Sequence, residues 1–288
     1  MSGITEKAYA KLNISLDITG KRSDGYHDML MVMQTVSLCD EIRIELRENV
    51  PSSARTNLHY IPEDDRNLAV RAANAFFAAA GISGVGAVMT VRKVIPVCAG
   101  MGGGSSDAAA VLRGLNKLTG AALPREKLLG IAEEIGSDVP FCVAGGTALA
   151  SGRGEKLRAL PPMPDCSFVI VKPEFSISTP ELFRKLDFVR LRCHPDTAGL
   201  CGALERGDLD GIVRRMYNVF EDAPDRRMSY VAEIKSRLLD LGAMGAIMTG
   251  TGSAVFGVFS DAAAAASARA ALSGEYKSCF TAKPVAAQ

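Results

Sequence analysis

"PVCAGMGGGSSDAAAVL", residues 96–112, joins an apolar run of strand character (Val88 to Ile95) to a segment of helical period, and its glycines govern how the rest is read. A Walker loop ends in Gly-Lys-Ser or Gly-Lys-Thr so that the lysine reaches the outer phosphates. Here Gly104 is followed by Ser105 and Ser106. A dinucleotide fingerprint fails as well, because Gly100, Gly102 and Gly103 lack its last spacing and no acidic ribose partner follows. What remains is a glycine run that empties into a helix. Ala108, Val111, Leu112, Leu115 and Leu118 recur at helical spacing, and Ser105, Ser106 and Asp107 suit its cap and first turn. Such a junction offers an anion free N–H groups and the positive end of a helix dipole, with no lysine of its own. A tight strand-to-helix turn accounts for the same glycines.

Upstream, Ala8, Ala10, Leu12, Ile14, Leu16 and Ile18 alternate with Tyr9, Lys11, Asn13, Ser15 and Asp17, the pattern of a half-buried strand with Lys11 and Asn13 side by side on its polar face. After the turn "GKRSDGYHD" the runs "MLMVMQTV" and "EIRIELRE" extend the antiparallel β-structure. Helices are expected over about 67–80 and 124–135, the second stopping at Gly136, after which "SDVPFCVAGGTALASGRGE" turns back into a strand. Residues 154–164 become Pro-rich and polar, a candidate domain boundary. Beyond it the expected order is a strand (168–172), helices near 179–186, 195–204 and 225–241, two strands, an alanine-rich helix and a last strand.

With 288 residues the chain has room for two domains, each with its own core. The formal net charge is +1 and no dense basic block appears, which argues against a nucleic-acid partner. Seven cysteines, odd in number and without C-x-x-C spacing, suit reduced thiols of a cytoplasmic protein, with neither disulfides nor zinc expected. Glu6 and Lys7 interrupt any signal-peptide core. The uncharged run 241–260 holds five glycines around Thr249-Gly250-Thr251-Gly252 and reads as two buried strands about a turn rather than a membrane span.

Four stretches, "AKLNISLDITGKRSDGYHDM", "IPVCAGMGGGSSDAAAVL", "GSDVPFCVAGG" and "MTGTGSAVFGVF", occur in the order and approximate spacing of the motifs of the galactose, homoserine, mevalonate and phosphomevalonate (GHMP) kinases, which the whole chain resembles. Within that superfamily, "AKLN…GYH", the triple glycine, "SDVPF" and "SISTPELF" resemble the branch that phosphorylates a cytidine diphosphate-linked alcohol in the non-mevalonate isoprenoid pathway. The resemblance implies an α+β, two-domain GHMP-kinase fold. Residues 1–158 would form an ATP-binding and catalytic domain like ribosomal protein S5, and residues 159–288 a ferredoxin-like substrate domain with an antiparallel sheet.

It further implies ATP with Mg²⁺. The triphosphate would be wrapped by Pro96, Val97, Cys98, Ala99, Gly100, Met101, Gly102, Gly103, Gly104, Ser105 and Ser106, with Asn67, Leu68 and Lys93 also at the nucleotide. Asp138 would be the base and Lys11 the stabilising charge, arriving from another strand. Tyr26, His27 and Phe183 would surround the cytosine, with Asn13 and Thr179 nearby. The metal ligands stay unassigned, although Ser106 is a candidate because phosphate-loop hydroxyls often contact the metal. The protein is expected to act as a monomer or weak homodimer on a small-molecule substrate, away from membranes. One departure stands out: Cys98 and Ala99 occupy positions where relatives often carry glycine.

Each assignment has a plainer rival. By spacing alone Asp138 is a helix cap, Lys11 a solvated lysine, Phe183 a core residue and Tyr26 a turn residue. The rival functions are another alcohol kinase of the superfamily, of homoserine or mevalonate type, and a nucleotide-binding protein without catalysis.

Overall fold

In the computed structural model, which describes residues 3–186, 191 and 193–287, the chain opens on two long antiparallel strands, β1 (Gly3–Lys21) and β2 (His27–Glu48). The two apolar runs expected after the first turn are one strand, because the ladder continues between them through Tyr9 opposite Cys39 and Ala8 opposite Asp40. The first half of β2 pairs with β5 (Thr147–Gly152) and the second with β4 (Val85–Arg92). With β3 (Ser53–Thr56) and β6 (Lys156–Ala159) they build the first sheet. β6 forms a hairpin with β5, so the polar stretch 154–164 is not a linker throughout: its first part still belongs to this sheet.

The half-exposed reading of β1 is corrected. Lys11, Asn13, Ser15 and Asp17 are only 4%, 0%, 0% and 5% exposed. Ala10, Leu12 and Ile14 pack in one apolar cluster with Phe168, Ile170, Phe256 and Val258, while the Lys11 N–H on the strand donates to the Met101 carbonyl of the glycine loop at 3.1 Å. Both faces are covered, so a lysine here cannot be the solvated surface lysine that alternation describes.

Helices α1 (Leu68–Ala80), α2 (Gly103–Thr119) and α3 (Arg125–Ile135) bury Phe76, Phe77, Val111, Leu115 and Ile131 against Ile42, Ile44 and Met89 of the sheet. A short α4 (Val139–Ala144), with Pro140 in its first turn, intervenes where the chain was expected to return directly to a strand. The start of α2 also differs from expectation. Its cap is Gly102 in the left-handed region (φ 67°), with no side chain capping it, and Ser106 and Asp107 are buried.

The second half contributes β7 (Ser167–Lys172), α5 (Thr179–Leu186), α6 (Thr197–Glu205), α7 (Leu209–Val213), β8 (Tyr217–Asn218), α8 (Arg227–Asp240), β9 (Gly245–Met248), β10 (Val255–Phe259), α9 (Ala262–Ser273) and β11 (Ser278–Ala282). Its antiparallel sheet has the order β11-β7-β10-β9. Helices lie between β7 and β9 and between β10 and β11, which is the ferredoxin-like βαββαβ arrangement. β8 leaves this sheet to pair in parallel with β1, so the halves interlock. The uncharged run 241–260 is β9, a turn and β10, and among the described residues no helix is long and apolar enough to cross a membrane.

Candidate active site

Register shifts in the β1–β2 ladder fall between Tyr9 and Lys11 and again between Asn13 and Ser15. Such irregularities bend a strand and re-aim its side chains. Here they bracket the two polar residues that the sequence reading singled out. The Lys11 ammonium donates to Asn13 Oδ1 at 2.6 Å and stands 3.6 Å from Asp138 Oδ2. A Cβ on Gly102 would lie 3.1 Å from Lys11 Cγ, so the left-handed glycine that starts α2 also gives the lysine its passage.

Asp138 occupies the cap position of α4, yet its carboxylate accepts no N–H from that helix. The side chain is about one-third exposed and faces Lys11 instead. One turn on, burial pushes the Cys142 thiol up to about 12, leaving it a neutral neighbour of this ion pair.

The Thr-Gly-Thr-Gly turn packs against the glycine loop. Thr249 Oγ1 accepts the Asn13 N–H at 3.0 Å, and Ala254 N donates to the Ala99 carbonyl at 3.2 Å. A Cβ on Gly100 would meet the Thr249 carbonyl oxygen at 2.1 Å, which no side chain could accommodate. Asn218 fixes the turn by donating to the carbonyls of Met248 and Gly250, both at 2.8 Å. Cys98 adopts φ 54°, a conformation that favours glycine, so its side chain costs about 1 kcal/mol here.

These elements enclose a cleft of about 820 Å³ whose lining includes Lys11, Asn13, Cys98, Gly100, Gly102, Ser105 and Asp138 together with Tyr26, His27, Thr179 and Phe183. His27 and Phe183 stack with ring centroids 4.8 Å apart, and Phe183 meets Phe220 edge-on at 4.9 Å. Tyr26 is 58% exposed, with the Arg153 guanidinium 5.5 Å from its ring centre. Thr179 and Thr251 share a hydroxyl hydrogen bond of 2.7 Å. The helix α5 that carries Thr179 and Phe183 is tied down by Lys185, Glu181, Arg227 and the buried Asp225. Hydrogen bonds from Arg227 hold the Asp225 carboxyl well below the usual range.

A second hollow of about 490 Å³ is lined by Lys93 to Val97, which lead into the glycine loop and form its first two residues, with Leu58, Tyr60 and Lys172 among its other walls. Asn67 lines neither space: its side chain caps α1, accepting from Ala69 N at 3.0 Å and donating to the Pro62 carbonyl at 2.9 Å. Leu68 stands beside Gly104. Lys93 gives its ammonium to two buried carboxylates, Asp40 at 2.5 Å and Asp107 at 2.6 Å. Ser106, the metal candidate, is 2% exposed and donates to the Tyr9 carbonyl, so the serine that lines the cleft is Ser105. Thr251 belongs to the Thr-Gly-Thr-Gly motif, whereas Arg153, Asn218 and Phe220 are not singled out by the sequence. Of these only Arg153, set between Gly152 and Gly154 in a polar turn, carried any local signal.

Two family models match the chain, the GHMP kinases N terminal domain over residues 67–146 and the GHMP kinases C terminal over residues 201–278. A protein of a Clostridium perfringens type A strain, named 4-diphosphocytidyl-2-C-methyl-D-erythritol kinase, is 44% identical over 271 residues, covering 94% of each chain. A solved structure of 4-(cytidine 5'-diphospho)-2C-methyl-D-erythritol kinase superposes with a TM-score of 0.80 at 32% identity, over 98% of this chain and 99% of that one. The homoserine kinase of Cytophaga hutchinsonii follows the same fold with a TM-score of 0.78, over 100% and 96% of the chains, at 19% identity.

Proposed function

We infer the reaction from descent: this chain belongs to the 4-diphosphocytidyl-2-C-methyl-D-erythritol kinases, a family of GHMP kinases. It is an ATP-dependent small-molecule kinase that transfers the γ-phosphoryl group of ATP to the 2-hydroxyl of 4-diphosphocytidyl-2-C-methyl-D-erythritol in the non-mevalonate isoprenoid pathway. The single observation that carries the chemistry is the Lys11–Asp138 pair at 3.6 Å, in the cleft bounded by the glycine loop.

In our reading, residues 1–158 hold ATP and residues 159–288 complete the acceptor pocket, to which Tyr26 and His27 are added from the first half. The glycine loop takes the triphosphate with its amides at the start of α2, and the hollow beside Lys93 to Val97 takes the adenosine. The substrate hydroxyl oxygen attacks the γ-phosphorus, its proton passes to Asp138, and ADP leaves with the electrons of the broken P–O bond. Lys11, held by Asn13, offsets the charge that develops between donor and acceptor. Ser105, which lines the cleft at the start of α2, is the residue that would hold Mg²⁺, which takes few protein oxygens beside the phosphates. When bound, the ion neutralises phosphate charge. Assembly as a monomer or weak homodimer and residence in the cytoplasm complete the reading.

The stacked rings of His27 and Phe183 in the lining of the cleft favour a cytidine-bearing acceptor over homoserine or mevalonate, which have no base to stack. Phe183→Ala is expected to raise KM for the cytidine substrate on the order of tenfold, the effect of losing 1–3 kcal/mol of base stacking. KM for ATP should move much less. Both constants and the melting temperature are measured on one preparation. A large drop in melting temperature with an unchanged cytidine-substrate KM would show Phe183 to be only a core residue against Phe220.

A further inference from the structure

Asp40 is completely buried in the middle of β2, and its carboxylate has three donors. Two are the backbone N–H groups of Val94 and Ile95, at 2.5 and 2.8 Å, on the residues that lead into the phosphate loop. The third is Lys93 Nζ at 2.5 Å. The same ammonium reaches Asp107 Oδ2 at 2.6 Å, in the second turn of α2 just beyond the loop's other end. The Lys93 backbone is itself held on both sides by Asn57, whose Oδ1 accepts the Lys93 N–H at 2.7 Å and whose Nδ2 donates to the Lys93 carbonyl at 3.3 Å. A Cβ on Gly103, the first residue of α2, would stand 3.5 Å from Lys93 Nζ and 3.2 Å from Ile95 Cγ2. The two ends of the loop are therefore joined through one buried ammonium.

Buried charges are costly, and an apolar trio of similar volume would do as well for stability alone. Burial works against the Lys93 charge, yet the two carboxylates hold its pKa above the ordinary lysine value. Burial also pushes the Asp107 carboxyl up to about 7, and its Oδ1 has no partner. What these groups supply that an apolar trio could not is direction: hydrogen bonds that fix β2, the leading end of the loop and α2 relative to one another.

We propose that Asp40, Lys93 and Asp107 form a clamp that sets the span of the phosphate loop, positioning its amides for ATP, with the Lys93 ammonium held by the two carboxylates rather than by the nucleotide. The proposal rests on the loop's role in binding ATP given above. The Lys93 ammonium then acts through the loop, as a positioning group, rather than as the charge on the nucleotide that the family resemblance implies, although the residue borders the hollow assigned to adenosine.

The sparing variant is Asp107→Ala, since alanine is favourable in a helix and Lys93 keeps Asp40 as its partner. It is expected to raise KM for ATP about five- to tenfold while kcat and the KM for the cytidine substrate stay within about twofold. Asp107→Asn, whose amide oxygen can still accept from Lys93, should restore most of the loss. Asp40→Asn discriminates further. It keeps an oxygen for the Val94 and Ile95 amides but weakens the hold on Lys93, so a clamp predicts a higher KM for ATP, whereas a lysine that contacts ATP directly would bind as well or better. A wild-type KM for ATP in Asp107→Ala, or no recovery in Asp107→Asn, overturns the clamp. Failure of the wild-type protein to use ATP at all would instead overturn the functional reading on which it rests.

Discussion

Asp138→Asn is expected to lower turnover by roughly 10²-fold or more, the scale of losing a general base, with the fold and most of the ATP affinity kept. Asparagine matches the shape of aspartate but cannot take the proton of the substrate hydroxyl. Since the Asp138 carboxylate caps no helix N–H and is about one-third exposed, the substitution leaves α4 its backbone contacts and creates no cavity. The melting temperature should stay within a few degrees of wild type. Steady-state kinetics and a thermal scan on the same preparation check both halves. Near-normal turnover would move the proton acceptor to another group.

Lys11→Met carries the second large effect, a fall in turnover of about 10²–10³-fold, the range for removing one donor that stabilises transition-state charge. Methionine keeps much of the stem that threads past Gly102, so packing survives better than with a short side chain. Two groups lose their cation: Asn13 Oδ1, 2.6 Å away, and Asp138 Oδ2, 3.6 Å away. Asp138 recovers part of the loss from water, whereas Asn13 is fully buried and cannot, so a modest drop in melting temperature should accompany the kinetic one. Lys11→Arg should not rescue, because the wider guanidinium must pass the same constriction. Unchanged kcat in Lys11→Met would make the buried lysine a structural residue only.

Period and punctuation made most of the second half legible: β7, α5, α8, β9, β10, α9 and β11 fall within a few residues of where alternation, helical spacing and glycines put them. Such signals survive because each element buries one face locally. The failures share a different cause. Alternation in β1 predicts a polar face turned outward, yet Lys11 is covered by a loop some ninety residues later in the chain and Asn13 meets the turn at Thr249, later still, and no local pattern encodes that cover. Strand β8 is two residues long and exists only because β1 offers an edge for parallel pairing. The helix α4 is six residues long, too short for a period to show.

The site divides along the same line. Lys11, Asp138, the glycine loop, Tyr26, His27, Thr179 and Phe183 came from matching motifs in order, and the structure brings them to one cleft. Residue type alone would have left Asp138 a helix cap and Lys11 a surface lysine. Asn218 and Phe220 support the site through contacts far away in sequence and carry no local mark. Ser106 and Ser105 are adjacent and chemically alike, so only the direction of the first turns of α2 shows that Ser105 lines the cleft while Ser106 turns to Tyr9.

The account is tested most directly by incubating the purified protein with Mg-ATP and, in parallel, 4-diphosphocytidyl-2-C-methyl-D-erythritol, free methylerythritol, homoserine and mevalonate, and following both ADP release and the phosphorylated product. The account predicts ADP in step with product for the cytidine-linked alcohol, phosphorylated on its 2-hydroxyl, with kcat/KM for each of the other alcohols lower by about 10²-fold or more, as expected when a site built for a base is left unfilled. Equal or faster phosphorylation of an alcohol without cytidine, or no transfer to the cytidine-linked one, would contradict it.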